Sequence, residues 1–209
     1  MRIATTTVMA LALLVMTTPA EAQGSDGTRW GGVVSFTPEW HMPSYQHQIL
    51  DADVVTIRGD EYTVGVSRGR TSDGDWGVLF IRRRIDDGGL VRRGNETLTV
   101  AGHGRMVGAM VYQYDKYFDA GPVEIGASYG IGVGSTTGGV QRDIPGLPSS
   151  RGALKEVFGR GGKAWSVVPL ARYELMVGAA INAHLKFRAG LGVMFPGHSR
   201  VTISAVVFP

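Results

Sequence analysis

The stretch from Val123 to Gly134, VEIGASYGIGVG, puts Val123, Ile125, Ala127, Tyr129, Ile131 and Val133 at alternate positions, with only Glu, Gly and Ser between them. A period of two is that of an extended strand, whose successive side chains point to opposite faces. One face is wide and apolar; the other is glycine, serine and one glutamate. In a water-soluble barrel the apolar face turns in and the outer face carries polar and charged side chains. Here the second face is too small and too poor in charge for that role. Its small residues suit the crowded interior of a narrow barrel. A strand rising about 3.3 Å per residue and tilted by about 45° covers roughly 25 Å over this length, the height of an apolar membrane band. The pattern therefore predicts a strand whose apolar face meets lipid and whose glycine and glutamate face looks inward.

The alternation recurs. HLKFRAGLGVMF separates Leu185, Phe187, Ala189, Leu191, Val193 and Phe195 from His184, Lys186, Arg188, Gly190, Gly192 and Met194. ARYELMVGA separates Ala171, Tyr173, Leu175, Val177 and Ala179 from Arg172, Glu174, Met176 and Gly178. WGGVVSFTPEW sets Trp30, Val34, Phe36 and Trp40 against Ser35, Thr37 and Glu39, and EYTVGVSRG sets Tyr62, Val64 and Val66 against Thr63, Gly65 and Ser67. RVTISAVVF separates Val201, Ile203, Ala205 and Val207 from Thr202 and Ser204. WGVLFIRRR from Trp76 and RMVGAMVYQYDKY from Arg105 are strands by their β-forming residues, but their faces are ambiguous, which points to bulges.

Eight strands follow, joined by unequal connections. His41–Asp60, Asp86–Gly104 and Ser135–Ala164 are long; Thr71–Asp75, Phe118–Pro122 and Ala180–Ala183 are tight; only Pro196–Ser199 is short where a long loop is due. Antiparallel neighbours send alternate connections to opposite ends, so one end collects the long loops. Transmembrane barrels have that asymmetry. All four tryptophans, Trp30, Trp40, Trp76 and Trp165, fall at strand ends with Phe195 and Phe208, as an aromatic girdle requires.

Residues 1–22 read as a separate signal peptide. Arg2 precedes the apolar run VMALALLVM, and AEA at Ala20–Ala22 offers the small residues of a cleavage site before Gln23. The run is short for a spanning helix. Residues 23–209 form one domain. The chain contains no cysteine, which excludes disulfides, thiolate metal sites and a cysteine nucleophile. The net charge of +3 is mild and spread along the chain, so nucleic acid is not an expected partner.

With signal peptide, alternating strands, loop asymmetry and a strand at the chain terminus, the sequence resembles the eight-stranded outer-membrane β-barrel proteins of Gram-negative-type bacteria from about Trp30 to Phe208. The resemblance implies an all-β, eight-stranded antiparallel up-and-down transmembrane barrel with long external loops and short periplasmic turns. It also implies an outer-membrane location, contact with lipid and lipopolysaccharide, and the barrel-assembly machinery as a partner during insertion. Members typically end in phenylalanine; here Phe208 is followed by Pro209 and lies off the Val201–Val207 face.

The inward face collects Glu39, Glu124, Arg172, Glu174, Lys186 and Arg188, and charges in a confined lumen must pair or meet water. Arg172 and Glu174 are expected to reach Lys186 and Arg188 on the adjacent strand. The network reads either as a selective polar path or as a salt-bridged plug filling a barrel too narrow to conduct, and eight strands favour the plug. Arg82, Arg83 and Arg84, with Arg92 and Arg93, fall at the long-loop end, where guanidinium groups would meet lipopolysaccharide phosphates. His41, His47, His103 and His198 map to the same end without the spacing of a metal site. His198–Ser199 raises the chemistry of the outer-membrane acyl hydrolases that act on lipid A, but no acid partner is in view. The expected function is therefore a structural, surface-interaction or small-solute, porin-like membrane role, without enzyme activity, cofactor or metal; a monomer is expected. The competing reading is a secreted or periplasmic lipocalin-like barrel holding an apolar ligand.

Overall fold

The computed structural model describes residues 27–40, 48–70, 74–121, 123–160, 163–196 and 198–209, without the side chains of Glu39, Trp40, Ala120, Arg160 and His198. The signal peptide assigned to residues 1–22 lies outside the described residues.

Eight long strands build the wall: β1 (Arg29–Trp40), β2 (Gly59–Gly69), β3 (Asp75–Ile85), β4 (Glu96–Ala120), β5 (Val123–Asp143), β6 (Val168–Asn182), β7 (Leu185–Phe195) and β8 (His198–Val207). Each pairs antiparallel with the next. β1 pairs with β8, from Gly32 opposite Val207 to Trp40 opposite Ser199, and closes the ring. The fold is thus a closed, eight-stranded, up-and-down antiparallel barrel. Along the ladders Asp75 leads through Tyr114, Ser128, Glu174, Gly192 and Arg200 to Glu39. From there the β1–β2 and β2–β3 registers return to β3 at Ile85, ten residues beyond Asp75 (85 less 75). A stagger of that size tilts the strands by about 40°.

The faces are those expected from the alternation. Ile131 is 73% and Leu191 65% exposed, with Phe80, Val111, Val133, Leu175 and Ile203 also outside. Ala127 has the same parity but is covered, flanked in register by Asp115 and Leu175. Within the wall, β3 alternates without interruption, so the bulge expected there is absent: Trp76, Val78, Phe80, Arg82 and Arg84 face out, and Asp75, Leu79, Ile81, Arg83 and Ile85 are buried inside. β4 has two bulges, between Ala101 and Arg105 and between Lys116 and Phe118, and the β6–β7 ladder shifts register between Ala180 and Asn182.

The two ends differ more than expected. Segments 86–104 and 135–164 read as loops in sequence, but β4 and β5 run into them as a paired ribbon, with Thr97 opposite Asp143 and Ala101 opposite Gly139. Short strands add to it: Leu90–Arg93 pairs with β4, Val54–Val55 with Leu90–Arg93, and Ser150–Ala153 with β5. Together they enclose an apolar cap of Leu50, Val55, Val91, Leu98, Val100, Val140, Leu154 and Phe158. This core continues into the barrel mouth through Ile81, Ile85, Met106, Met110, Leu170 and Met194. That continuity explains the ambiguous faces of β3 and β4, which are apolar on the outside for the belt and on the inside for the cap. Arg93 stitches the cap by donating to the carbonyl oxygens of Leu50 (3.2 Å), Glu156 (3.1 Å), Val157 (2.9 Å) and Gly159 (3.1 Å). Burial lowers the pKa of its guanidinium, opposed by Glu96 and Asp51. Arg142 bridges Glu96 at 2.7 Å and Glu156 at 2.6 Å.

Candidate functional site

Below the cap, the lumen is lined by the second face of every strand, and its charges fall into two groups. Nearer the tight turns lie Asp75, Glu124, Lys186 and Arg188. Lys186 Nζ is 3.0 Å from Glu124 Oε2, Arg188 Nε is 3.6 Å from Glu124 Oε1, and Arg188 also pairs with Asp75. The Tyr112 hydroxyl donates to Asp75 Oδ1 at 2.7 Å, and the Arg188 guanidinium lies 3.6 Å over the Tyr114 ring. Nearer the cap lie Glu61, Arg83, Arg172, Glu174 and Arg200. Arg200 Nε is 2.6 Å from Glu174 Oε1, and its Nη2 is 2.9 Å from Glu61 Oε1. Arg83 Nη2 is 3.4 Å from Glu61 Oε2, and Arg172 Nε is 3.5 Å from Glu174 Oε2. Hydroxyls complete the shell. Arg200 donates to Thr37 at 2.8 Å, Arg172 donates to Ser128 at 3.1 Å, and the Thr202 hydroxyl donates to Glu174. Arg172 also lies 5.8 Å from the Tyr112 ring centroid, which links the two groups.

A cavity of ≈ 20 Å³ remains between the groups, lined by Ser35, Tyr112, Ser128, Arg172, Glu174 and Arg188 among others. That is room for about one water.

Five of the six charges assigned to the lumen from sequence lie there: Glu124, Arg172, Glu174, Lys186 and Arg188 are all buried. The Glu39 side chain lies outside the described residues. The pairing differs from the expected one. Lys186 and Arg188 stand opposite Ala180 and Gly178 in the β6–β7 ladder, whereas Arg172 and Glu174 stand opposite Met194 and Gly192. The stagger therefore separates the two pairs along the barrel, and each finds partners on other strands. Of the further lumen charges, Glu61, Asp75 and Arg200 are the residues that sequence reasoning missed, and Arg83 is one it placed at the rim. Parity could have found them: Tyr62, Trp76 and Val201 face out, so Glu61, Asp75 and Arg200 must face in.

The same parity corrects the arginine run. Arg82 and Arg84 are exposed on the outer wall, but Arg83 is 1% exposed, paired with Glu61 in the lumen, and is not at the expected rim. Arg92 is exposed on the cap, and Arg93 is drawn into it.

Trp30 and Trp76, both 47% exposed, meet edge to face at 6.1 Å on the turn end. Trp165 and Phe195 stack at 5.8 Å at the other end, where Trp165 also packs against the cap. The Trp40 side chain lies outside the described residues. Phe208 does not join a girdle. It is 1% exposed and points into the lumen beside Tyr114, Met176 and Val206. Its parity is opposite to Val207, and Gly31 leaves the space: a Cβ there would meet Phe208 Cδ1 at 2.7 Å. The Phe208 amide donates to the His184 carbonyl at 2.7 Å, closing the turn end.

His41 and His47 lie outside the described residues, as does the His198 side chain of the Ser199–His198 pair. His103 is exposed, with Nε2 3.5 Å from Arg84 Nη2. Among the described residues no three His, Asp or Glu converge as metal ligands would.

No family model matches the chain, and no curated protein matches it. Among solved structures it is similar to the N-terminal β-barrel domain of Pseudomonas aeruginosa OprF, at 10% identity over 86% of this chain and 96% of that one, with a TM-score of 0.39. The closed eight-strand ring rests on this chain's own ladders.

Proposed function

We propose that this chain is an integral outer-membrane β-barrel, exported by its signal peptide, with a lumen closed to ions and a structural or surface-interaction role. One observation carries the reading: the polarity is inverted. Ile131, Leu191, Leu175, Phe80 and Ile203 stand exposed on the outside, while Glu61, Arg83, Glu174, Lys186 and Arg200 are buried within. A protein in water rarely leaves a continuous apolar belt exposed. In lipid that belt is at home, and a closed ring leaves no unpaired strand edge. The two charge groups pair across the lumen and an apolar cap lies above them, which supports a plug rather than a pore. The same packing disfavours a soluble carrier of an apolar ligand, because the cavity between the charge groups has room for about one water.

The test has two parts. The mature chain should fractionate with detergent-soluble outer membrane and, refolded into vesicles, show heat-modifiable gel mobility. Recovery in the soluble periplasm would end the membrane reading. Planar-bilayer recordings should show no steady current; a large, steady, ion-selective current would replace the plug with a channel.

A further inference from the structure

The outer wall carries a charged patch that the closed lumen does not explain. Arg84 on β3 and Arg105 on β4 are direct cross-strand partners, and both are exposed. Arg82 stands two residues below Arg84 on the same face, opposite Val107. His103 lies beside Arg84, and Thr137 on β5 is the partner of Arg105. Like charges placed directly opposite each other destabilise a sheet. Their counter-charge within the chain is limited: Arg84 has Asp60 opposite it on β2 and reaches Asp86 at 3.7 Å with both side chains substantially exposed, and among the described residues neither Arg82 nor Arg105 forms an ion pair. Immediately below, on the same three strands, the wall turns apolar with Phe80 (59% exposed), Val107 (52%) and Val133 (55%). A cationic cluster seated on the edge of an apolar slope is complementary to a molecule that is anionic at one end and aliphatic at the other. Facing guanidinium groups suit a phosphate, which accepts bidentate hydrogen bonds from each.

We propose that Arg84 and Arg105, flanked by Arg82 and His103, bind the phosphorylated headgroup of a lipid in the leaflet on the long-loop side, with its acyl chains against Phe80, Val107 and Val133. This rests on the membrane reading above and names the lipid chemistry that the wall selects. A free phosphate would use the arginines but leave the apolar slope idle.

The experiment uses the full mature chain refolded in neutral detergent micelles, with heat-modifiable mobility as the check on folding. It is titrated with bisphosphorylated lipid A and with the same lipid stripped of its phosphates, and bound lipid is read by native mass spectrometry. The phosphorylated lipid is expected to bind at least about tenfold more tightly. Arg84→Ala/Arg105→Ala should fold normally and lose that preference, while Arg68→Ala at the turn end should keep it. Should the double variant not fold, Arg105→Ala alone carries the comparison, with a loss of several-fold expected. Equal binding of the two lipids, an unchanged preference in the variants, or full competition by inorganic phosphate at matched concentration would each overturn the proposal and leave the membrane barrel standing. Failure of wild type to enter bilayers in the earlier test would overturn both.

Discussion

Leu191 and Gly192 are neighbours on β7, yet they face opposite sides of the barrel wall. Leu191 is exposed on the outer wall, in line with Phe187 and Ala189. Gly192 shares the inner face with Lys186 and Arg188, where a single Cβ would meet the Glu174 Cα and Cγ at 2.6 Å. The outside selects for hydrophobicity and tolerates size; the inside selects for size and tolerates charge, provided each charge has a partner. A soluble barrel has these rules the other way round, since its large apolar side chains fill the interior. Four perturbations would break or sharpen the contrast.

Gly192→Arg should have the largest effect. The new side chain would begin inside the packed wall of Glu174, at a cost beyond about 5 kcal/mol. No heat-modifiable barrel is expected in micelles or in bilayers. A variant that folds in both would mean that the inner face has slack that the structure does not have.

Glu174→Gln comes next. Glu174 lies between Arg172 and Arg200, both buried, and losing its charge should cost about 3–5 kcal/mol. The denaturant midpoint of the refolded barrel should fall accordingly. An unchanged midpoint would show that water screens the lumen.

Leu191→Arg tests the outside. If the outer wall faces lipid as proposed, an arginine near its middle costs about 2–4 kcal/mol in a bilayer. Its signature is dependence on solvent: impaired stability in vesicles, with near-normal folding in small micelles where the arginine can reach water. Equal refolding of variant and wild type into bilayers would mean that the faces are reversed.

The smallest effect is expected outside the wall altogether, in the β5 extension. Asp143 accepts hydrogen bonds from Ser149 and from Gln141 (3.2 and 3.3 Å), and these hold its carboxyl below the usual aspartate range. A depressed folded-state pKa means that the clasp is fully formed above the ordinary aspartate pKa and is lost as pH falls through the lowered value. Amide exchange in residues 144–149 should therefore rise beyond its intrinsic pH trend only at acidic pH. Asp143→Ala should raise it at neutral pH, with the barrel's unfolding midpoint unchanged. A drop in the global midpoint would tie the tip to the barrel more tightly than this local contact implies.

Much of the wall was legible in advance because parity is a local property. Once Ile131, Leu191 and Leu175 are known to face out, the glycines and charges between them must face in. The ambiguous strands were less legible. Leu79, Ile81 and Ile85 are apolar on the inner side of β3, and nothing near them in the chain announces the cap residues Leu98, Val140 and Phe158 that they continue into. Reading 86–104 and 135–164 as loops had the same root: a ribbon outside the belt has no long apolar outer stripe to betray it.

By itself, the sequence determined the strand faces, the closed all-β architecture and the presence of lumen charges of both signs. Each follows from alternation, repeated along one chain. The tertiary structure alone decided which charges meet. Ring closure with a stagger of ten residues lifts Glu174 and Arg172 away from Lys186 and Arg188, hands Glu174 the Arg200 that also holds Glu61, and brings Asp75 to Arg188 from across the lumen. It also decided that Arg83 turns inward to Glu61 while Arg84 meets Arg105 outside. Those outcomes depend on register, which is set by the whole ring at once and leaves no trace in any single strand.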